Sequence, residues 1–360
     1  MNDYSNGSSS STNVAIVILN YNGKKYLQQF LPKVIEYSQG CEIWIADNAS
    51  TDQSLAWIQT EQLPVRIIAF EKNWGYAEGY NRALEMIKAD YYVLLNSDIE
   101  VTENWIEPVI NFMRSDPQIA ACQPKICAYD LPTHFEYAGA AGGFVDYLGY
   151  PFCRGRIFDT REEDHGQYDD VADVFWATGA CLFVKAEAFQ QAGGFDPTFF
   201  AHMEEIDLCW RLKKEGFRIT YCGFSKVYHV GGGTLHKSNP RKTFLNYRNN
   251  LIMLYKNLSV AERWRVIPIR LILDGISSFR YVAAGAFPDI LAIIKAHFAF
   301  YGMLYKNRIQ TYKGTRKVKL YDKSVVWEYF VQQKYTFSEL TGQLENMGQN
   351  EIEETTNRAF

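Results

Sequence analysis

In DYYVLLNSDIE, Asp90–Glu100, five consecutive apolar or aromatic residues run into Asn96-Ser97-Asp98 before the chain turns apolar again at Ile99. Such a run without polar alternation fits a strand buried on both faces. The carboxylate at its far end is then among the first groups to emerge from the sheet. The same pattern recurs in VAIVILNYN, residues 14–22, and in GCEIWIADNAS, residues 40–50, with a shorter apolar run, VRIIAF, at 65–70. Helix-length stretches separate or follow these runs, at 24–37, about 77–88 and about 103–114. Buried strands alternating with helices predict an α/β fold, an open and mostly parallel sheet with helices on both faces. Ligands in such sheets bind beyond the carboxyl ends of the strands. Asn20 and Asn22, Asp47, Asn48 and Ser50, and Asn96, Ser97 and Asp98 are thereby expected at one crevice.

The 360 residues suffice for one large α/β domain with an appendage. A hydrophobic share of 47% and a charged share of 22% are ordinary globular values, which excludes wholesale disorder and a polytopic membrane protein. A net charge of -4, with no dense Lys/Arg stripe in the first two thirds, gives no footprint for nucleic acid. Seven scattered cysteines without a Cys-x-x-Cys pair predict reduced thiols in a cytosolic protein. The first βα loop, NYNGKKYLQQF, carries neither Gly-x-Gly-x-x-Gly nor Gly-Lys-Ser/Thr, so no dinucleotide fingerprint or P-loop is present.

The Ser-rich start, MNDYSNGSSSST, lacks a signal peptide's basic and apolar regions and predicts a short disordered lead. From Arg263 to Tyr305 the chain is rich in Ile, Leu, Phe, Ala and Tyr, but charged residues interrupt it before a spanning length of uncharged residues is reached. Two readings stand side by side: helices lying in a membrane interface with Trp264 near headgroups, or helices packed on the main domain or on a dimer partner. After Leu340 a polar, acidic tail is expected to fray. VGGGT, Val230–Thr234, reads as a hinge, a lid or a plain turn.

Asp98 offers a hard oxygen to Mg²⁺ or Mn²⁺, although a strand-terminal Asp is more commonly a helix cap or turn former. FFAHMEEIDLCWRLKKEGFRITYCGFSKVYH, residues 199–229, says more. Glu204 and Glu205 fall in the first turn of a helix whose Leu208 and Leu212 share a face. A helix N-terminus favours ionised carboxylates, which suits a general base. His229 ends the following strand, near the expected crevice.

VAIVILNYNG, IADNASTD, NWGYAEGYNRAL, YYVLLNSDI, GACLFVKAEAFQQAGGFD and FFAHMEEIDLCWRLKKEGF, then VYHVGGGT and NYRNN, stand in this order from Val14 to about Leu258. In these motifs the chain resembles family 2 glycosyltransferases of GT-A fold, the rhamnosyltransferase-like bacterial enzymes of cell-surface polysaccharide assembly. The resemblance implies a Rossmann-like catalytic domain over residues 13–258 after the lead at 1–12. An amphipathic helical segment at 259–320, in contact with a membrane under the first reading above, and a C-terminal tail at 321–360 complete the chain. It also implies an inverting, metal-dependent hexosyl transfer from a UDP- or dTDP-sugar to a hydroxyl of a glycan or lipid-linked glycan. The expected location is the cytoplasm, with peripheral contact at the inner membrane under the interfacial reading; oligomeric state is open.

By the same resemblance, Asn20, Asn22, Asp47, Asn48, Ser50, Asn73, Gly75, Asn96 and Ser97 shape the nucleotide-sugar site. Asp98 matches the last Asp of the DxD motif and, with His229, holds the divalent cation. Trp176, Thr178 and Gly179 line the sugar and acceptor pocket. Glu205 matches the catalytic base, with Glu204 and Asp207 as alternatives. Two departures stand out: the DxD position reads Asn96-Ser97-Asp98, with one carboxylate lost, and the base is Glu where Asp is common. Two other functions compete. A nucleotidyltransferase making nucleotide sugars would call for a Gly-rich basic loop after the first strand and would release pyrophosphate. An inactive scaffold of the same fold would release nothing.

Overall fold

The computed structural model describes residues 12–231 and 239–342. The expected disordered lead at 1–11, positions 232–238 of the glycine loop, and the expected fraying tail beyond 342 lie outside the described residues. The chain opens with β1 (Val14–Asn20), α1 (Lys24–Tyr37), β2 (Glu42–Asp47), α2 (Ser54–Thr60), β3 (Arg66–Ala69), α3 (Gly75–Glu85) and β4 (Tyr91–Leu95). There follow β5 (Ile99–Val101), α4 (Glu107–Ser115) and the ten-residue β6 (Ile119–Ala128), buried throughout. Short strands β7 (Gly143–Val145), β8 (Pro151–Cys153), β9 (Arg156–Ile157) and β10 (Thr160–Arg161) lead to β11 (Val171–Val174) and β12 (Cys181–Lys185). The remaining elements are α5 (Ala186–Gln191), α6 (Glu204–Lys214), β13 (Arg218–His229), α7 (Pro240–Asn257), α8 (Val260–Ala283), α9 (Phe287–Tyr305), α10 (Val325–Phe330) and α11 (Phe337–Thr341).

The main sheet runs β11-β13-β6-β12-β4-β1-β2-β3, with β5 paired to β13; β7 to β10 form a smaller antiparallel sheet. Strand β1 pairs in parallel with both β2 and β4, as the buried apolar runs predict. Its side chains alternate between two cores. Ala15 and Val17 face the layer that includes α3, and Ile16 and Ile18 face the layer formed by α1 and α4. Helix α1 closes that second layer with Leu27, Phe30, Leu31 and Val34, one helical face.

The structure departs from the sequence expectations in several places. Strand β12 lies antiparallel between β4 and β6, so the sheet is mixed and its parallel run is interrupted at the centre. Helix α4 starts four residues later than expected, because β5 and the buried Trp105 take up the intervening chain. The stretch expected as a tail from 321 packs back into the core as far as Thr341. Its aromatic residues provide the reason: Phe337 lies 5.2 Å from Phe144 and Tyr321 lies 5.3 Å from Phe152, ring centre to ring centre, filling a slot against the small sheet.

Helices α8 and α9 form a hairpin that packs on α7 through Val266, Ile267, Ala292, Ile293, Ala296 and Phe300. The opposite side of each helix stays apolar and exposed. On α8 this stripe is Ile269, Ile272, Ile276 and Phe279; on α9 it is Phe287, Leu291, Ile294, Phe298, Tyr301 and Tyr305. The spacing of three and four residues puts each set on one face. Among the described residues α9 alone is long and apolar enough to cross a membrane, with 28% of its apolar window buried in the fold.

Candidate active site

A cavity of about 760 Å³ opens where the carboxyl ends of β1, β2 and β4 meet the start of α6. Asn48, Asn73, Gly75, Asn96, Ser97, Asp98, Trp176, Thr178, Gly179, Glu204, Glu205 and His229 all line it. Fold and sequence motifs therefore converge on one space. Asn20, Asn22, Asp47 and Ser50 do not line it but form a hydrogen-bonded group where β1 and β2 end. Asn20 Nδ2 donates to Asp47 Oδ1 at 2.9 Å and to Ser50 Oγ at 3.0 Å, and the Ser50 amide donates to Asp47 Oδ2 at 2.9 Å. Asn22 continues the network: its amide donates to Ser50 Oγ and its side chain accepts from the Thr51 amide. These four residues stiffen the loops after β1 and β2.

At the end of β2, Asn48 Nδ2 donates to the Gly75 carbonyl at 2.9 Å while its Oδ1 accepts from the Trp74 amide. Asn73 Oδ1 accepts from the Gly75 amide at 2.8 Å. Gly75 sits at φ +78°, and a Cβ there would stand 2.5 Å from the Phe200 ring, so only glycine lets the start of α3 approach. The Tyr76 amide donates to the Phe200 carbonyl, and the Tyr76 hydroxyl donates to the Gly179 carbonyl, both at 2.6 Å. Thr178 is fixed through its amide to Gln123 Oε1, and Trp176 through its ring N–H to the Phe144 carbonyl.

The register of β13 against β5 pairs His229 with Ile99, which delivers the imidazole to Asp98, the residue just before β5. Asp98 Oδ1 and His229 Nε2 lie 3.2 Å apart, both groups buried. On the other side of the ring, Glu136 Oε1 lies 3.4 Å from Nδ1. Burial works to lower the basicity of His229, but the two carboxylates outweigh it and push its pKa up to about 10. Burial opposes ionisation of Glu136 as well, and the adjacent His229 charge holds its pKa below the ordinary value. Sequence reasoning missed Glu136, which lies in an irregular stretch after β6 without periodicity.

An imidazolium has no lone pair for a metal, so ligation by His229 goes with loss of that proton. One carboxylate and one imidazole, with Asn96 and Ser97 beside them, fit a hard divalent cation whose remaining ligands come from phosphate oxygens and water. Mg²⁺ in particular is commonly held this way rather than in an all-protein cage. No cluster of three His, Cys, Asp or Glu ligands with metal-site geometry exists among the described residues.

Glu204 and Glu205 open α6 and face the cavity, each with a buried Oε2 that has no hydrogen-bond partner. Burial pushes Glu205 up to about 7 and, with Glu205 beside it, raises Glu204 further. The helix N-terminus alone would favour the ionised forms; burial outweighs it here. Asp207 does not reach the cavity. It is fully buried and bound by Arg211 at 2.8 Å, Lys256 at 3.0 Å and Asn257 at 2.8 Å, which keeps its pKa low against burial. As an alternative base it is therefore corrected: its lone pairs are already engaged.

The loop leading into α6 is held in an uncommon shape, with Phe200, His202 and Met203 at φ +65°, +71° and +75°. Asn249 of α7 donates to the carbonyls of Phe199, Ala201 and His202, and Arg248 donates to those of Thr198 and Phe199. The NYRNN stretch is thus the clamp on the loop before Glu204. His202 lines the cavity as a neutral imidazole, its pKa lowered to about 4 by burial and then by Lys242.

Residues 15–169 match the family model described as Glycosyl transferase family 2. An N-acetylglucosaminyl-diphospho-decaprenol L-rhamnosyltransferase of Mycobacterium tuberculosis H37Rv is 24% identical over 283 residues, 74% of this chain and 90% of that protein. The rhamnosyltransferase WbbL of Escherichia coli K12 is 23% identical over 218 residues, 58% of this chain and 80% of that one. Among solved structures, GalNAc-T7 with UDP, GalNAc and Mn²⁺ superposes with a TM-score of 0.55 at 17% identity, over 69% of this chain and 48% of that chain. The mannosyltransferase PcManGT from Pyrobaculum calidifontis, in complex with GDP-Man and Mn²⁺, gives 0.50 at 13% identity, over 81% and 88%. These likenesses show a common fold.

Proposed function

The chain carries a family 2 glycosyltransferase domain in a GT-A fold and is a glycosyltransferase, and from that premise we propose an inverting, metal-dependent transfer from a nucleoside-diphosphate sugar. UDP- and dTDP-sugars are the proposed donors, and the acceptor is a hydroxyl of a glycan or lipid-linked glycan in surface polysaccharide synthesis. What supports the reading is the Glu205 carboxylate, whose buried Oε2 has no hydrogen-bond partner, in the same cavity as the Asp98–His229 pair.

Breaking the anomeric C–O bond leaves charge on the departing diphosphate. Asp98 and His229 are the residues that would hold Mn²⁺ or Mg²⁺, which, when bound, supplies positive charge against that diphosphate. Glu205 accepts the proton of the acceptor hydroxyl as it attacks the anomeric carbon from the face opposite the leaving group. One base and one displacement invert the anomeric centre. Glu204 borders Glu205, whose charge raises the proton affinity of Glu204. Asn48, Asn73 and Gly75 shape the nucleotide end, and Trp176, Thr178 and Gly179 the sugar end.

The exposed stripes of α8 and α9, with Arg265 and Arg280 exposed beside them, suit a lipid surface. A cytoplasmic enzyme lying on the inner membrane through this hairpin would meet a lipid-linked acceptor where it resides. The catalytic reading is tested by incubating the purified protein with a panel of nucleotide sugars, with Mn²⁺ or Mg²⁺ and then EDTA, and assaying nucleoside diphosphate. Release from one donor should be metal-dependent, with Glu205→Gln lowering turnover by about 10²–10⁴-fold and Asp98→Ala abolishing the metal response. Release of pyrophosphate from a nucleoside triphosphate would instead establish a nucleotidyltransferase.

A further inference from the structure

Strands β9 and β10 are two residues each, and their antiparallel register sets Arg156 directly opposite Arg161. Both arginines line the active-site cavity. Like charges directly opposite across a strand pair repel, with Cβ atoms about 4.5–5.5 Å apart. For Arg156 the Glu136 carboxylate offsets part of this without forming an ion pair. Arg161 has Asp130 at 3.6 Å, an ion pair whose carboxylate is 72% exposed.

Arg156 is 7% exposed and makes no carboxylate ion pair among the described residues. Its guanidinium lies 4.2 Å over the Tyr137 ring, Nη1 donates to the Phe158 carbonyl at 3.2 Å, and Nη2 faces Cys153 Sγ at 4.0 Å. Its buried Nε donates to nothing. Arg154, two residues earlier, makes the contrast: both Asp170 oxygens accept from its Nη2, at 2.8 and 2.7 Å. A buried, permanently charged fork with a free N–H, beside a second guanidinium on a cavity wall, is built to receive anionic oxygens.

The position of the pair narrows the anion. Both arginines line the same cavity as Asp98, His229 and Glu136, which stands 3.4 Å from His229, and this cavity holds the proposed leaving-group end. We propose that Arg156 and Arg161 form a clamp for a diphosphate, effective without a divalent cation. This inference rests on the glycosyltransferase reading above. Two diphosphates belong to that reading, the donor's and that of a diphosphate-linked lipid acceptor, and both present adjacent phosphoryl groups to a guanidinium pair.

The test is calorimetry on the full chain in EDTA, titrating inorganic pyrophosphate, UDP, dTDP and, in detergent, farnesyl diphosphate. Arg156→Gln and Arg161→Gln should each weaken binding by about tenfold or more, with Arg156→Lys intermediate because it keeps the charge and loses the fork. A loss confined to UDP or dTDP assigns the clamp to the donor, and a loss confined to farnesyl diphosphate assigns it to the acceptor. Equal affinities in wild type and both Gln variants overturn the clamp, as does a wild type that binds none of the four in EDTA. If UDP and dTDP bind neither in EDTA nor with Mn²⁺, the donor reading of the enzyme falls, and pyrophosphate and farnesyl diphosphate alone decide the clamp. Should Arg156→Gln not fold, the part-exposed Arg161, changed to Gln and to Lys, carries the same comparison.

Discussion

Glu205 is a carboxyl group whose surroundings hold it near the midpoint of its titration at neutral pH. Only the carboxylate can take a proton from an acceptor hydroxyl, so turnover is expected to climb as pH rises through about 7 and then level off. A pH profile of kcat/KM at saturating metal should show that limb; a flat profile from about pH 5.5 to 8.5 would remove Glu205 as the base. Stability follows the opposite sign. The folded pKa stands above the ordinary 4.5, so the folded state holds the proton more tightly and loses stability as pH rises from 4.5 toward 7. At this scale the sequence was legible wherever a polar residue ends a patterned stretch: Asp98 after β4, His229 at the end of β13, Glu204 and Glu205 at the head of α6. Glu136, Arg156 and Arg161 were not. They belong to residues 129–161, where strands of two and three residues leave no period to read.

Among the elements, α7 holds the loop before the proposed base by side chain rather than by backbone pairing. Three non-glycine residues in left-handed or neighbouring conformations cost of order 1–3 kcal/mol each, and three carbonyls of that segment accept from the single Asn249 amide group. Asn249→Ala should destabilise the protein by about 2–3 kcal/mol in denaturant unfolding and lower turnover, since Glu205 loses its fixed approach. A shift below about 0.5 kcal/mol would mean the loop holds its own shape. NYRNN was recognised as a motif, but its task depends on a contact about fifty residues back along the chain. The direction of β12 was equally hidden. CLFVK reads the same whether it runs parallel or antiparallel to its neighbours, because alternation and burial carry no sense of direction.

For the whole molecule, the exposed stripes of the α8–α9 hairpin carry the proposal of work at a lipid surface. The full chain should co-sediment with vesicles containing phosphatidylglycerol, and Ile272→Glu with Phe298→Glu should weaken that binding by about tenfold or more. Both residues are well exposed, so the fold should tolerate the change. A wild type that stays in the supernatant and runs as a dimer would give the stripes to a second copy instead. Amphipathic helices were legible from composition, but which face would be covered was not, since apolar residues occur all round α9.

The central place of β6 has a consequence for how this protein is made. Both of its sheet neighbours, β12 and β13, come later in the chain, after residue 169. A nascent chain that has just completed the span matching the family model therefore presents ten buried-type residues with two open edges, a template for pairing with other chains. Expressed alone, residues 15–169 should accumulate as aggregate, whereas a product extended through Asn257 should be recoverable from the soluble fraction. The span that matches the family model and the span that closes the sheet are, in this protein, different lengths of gene.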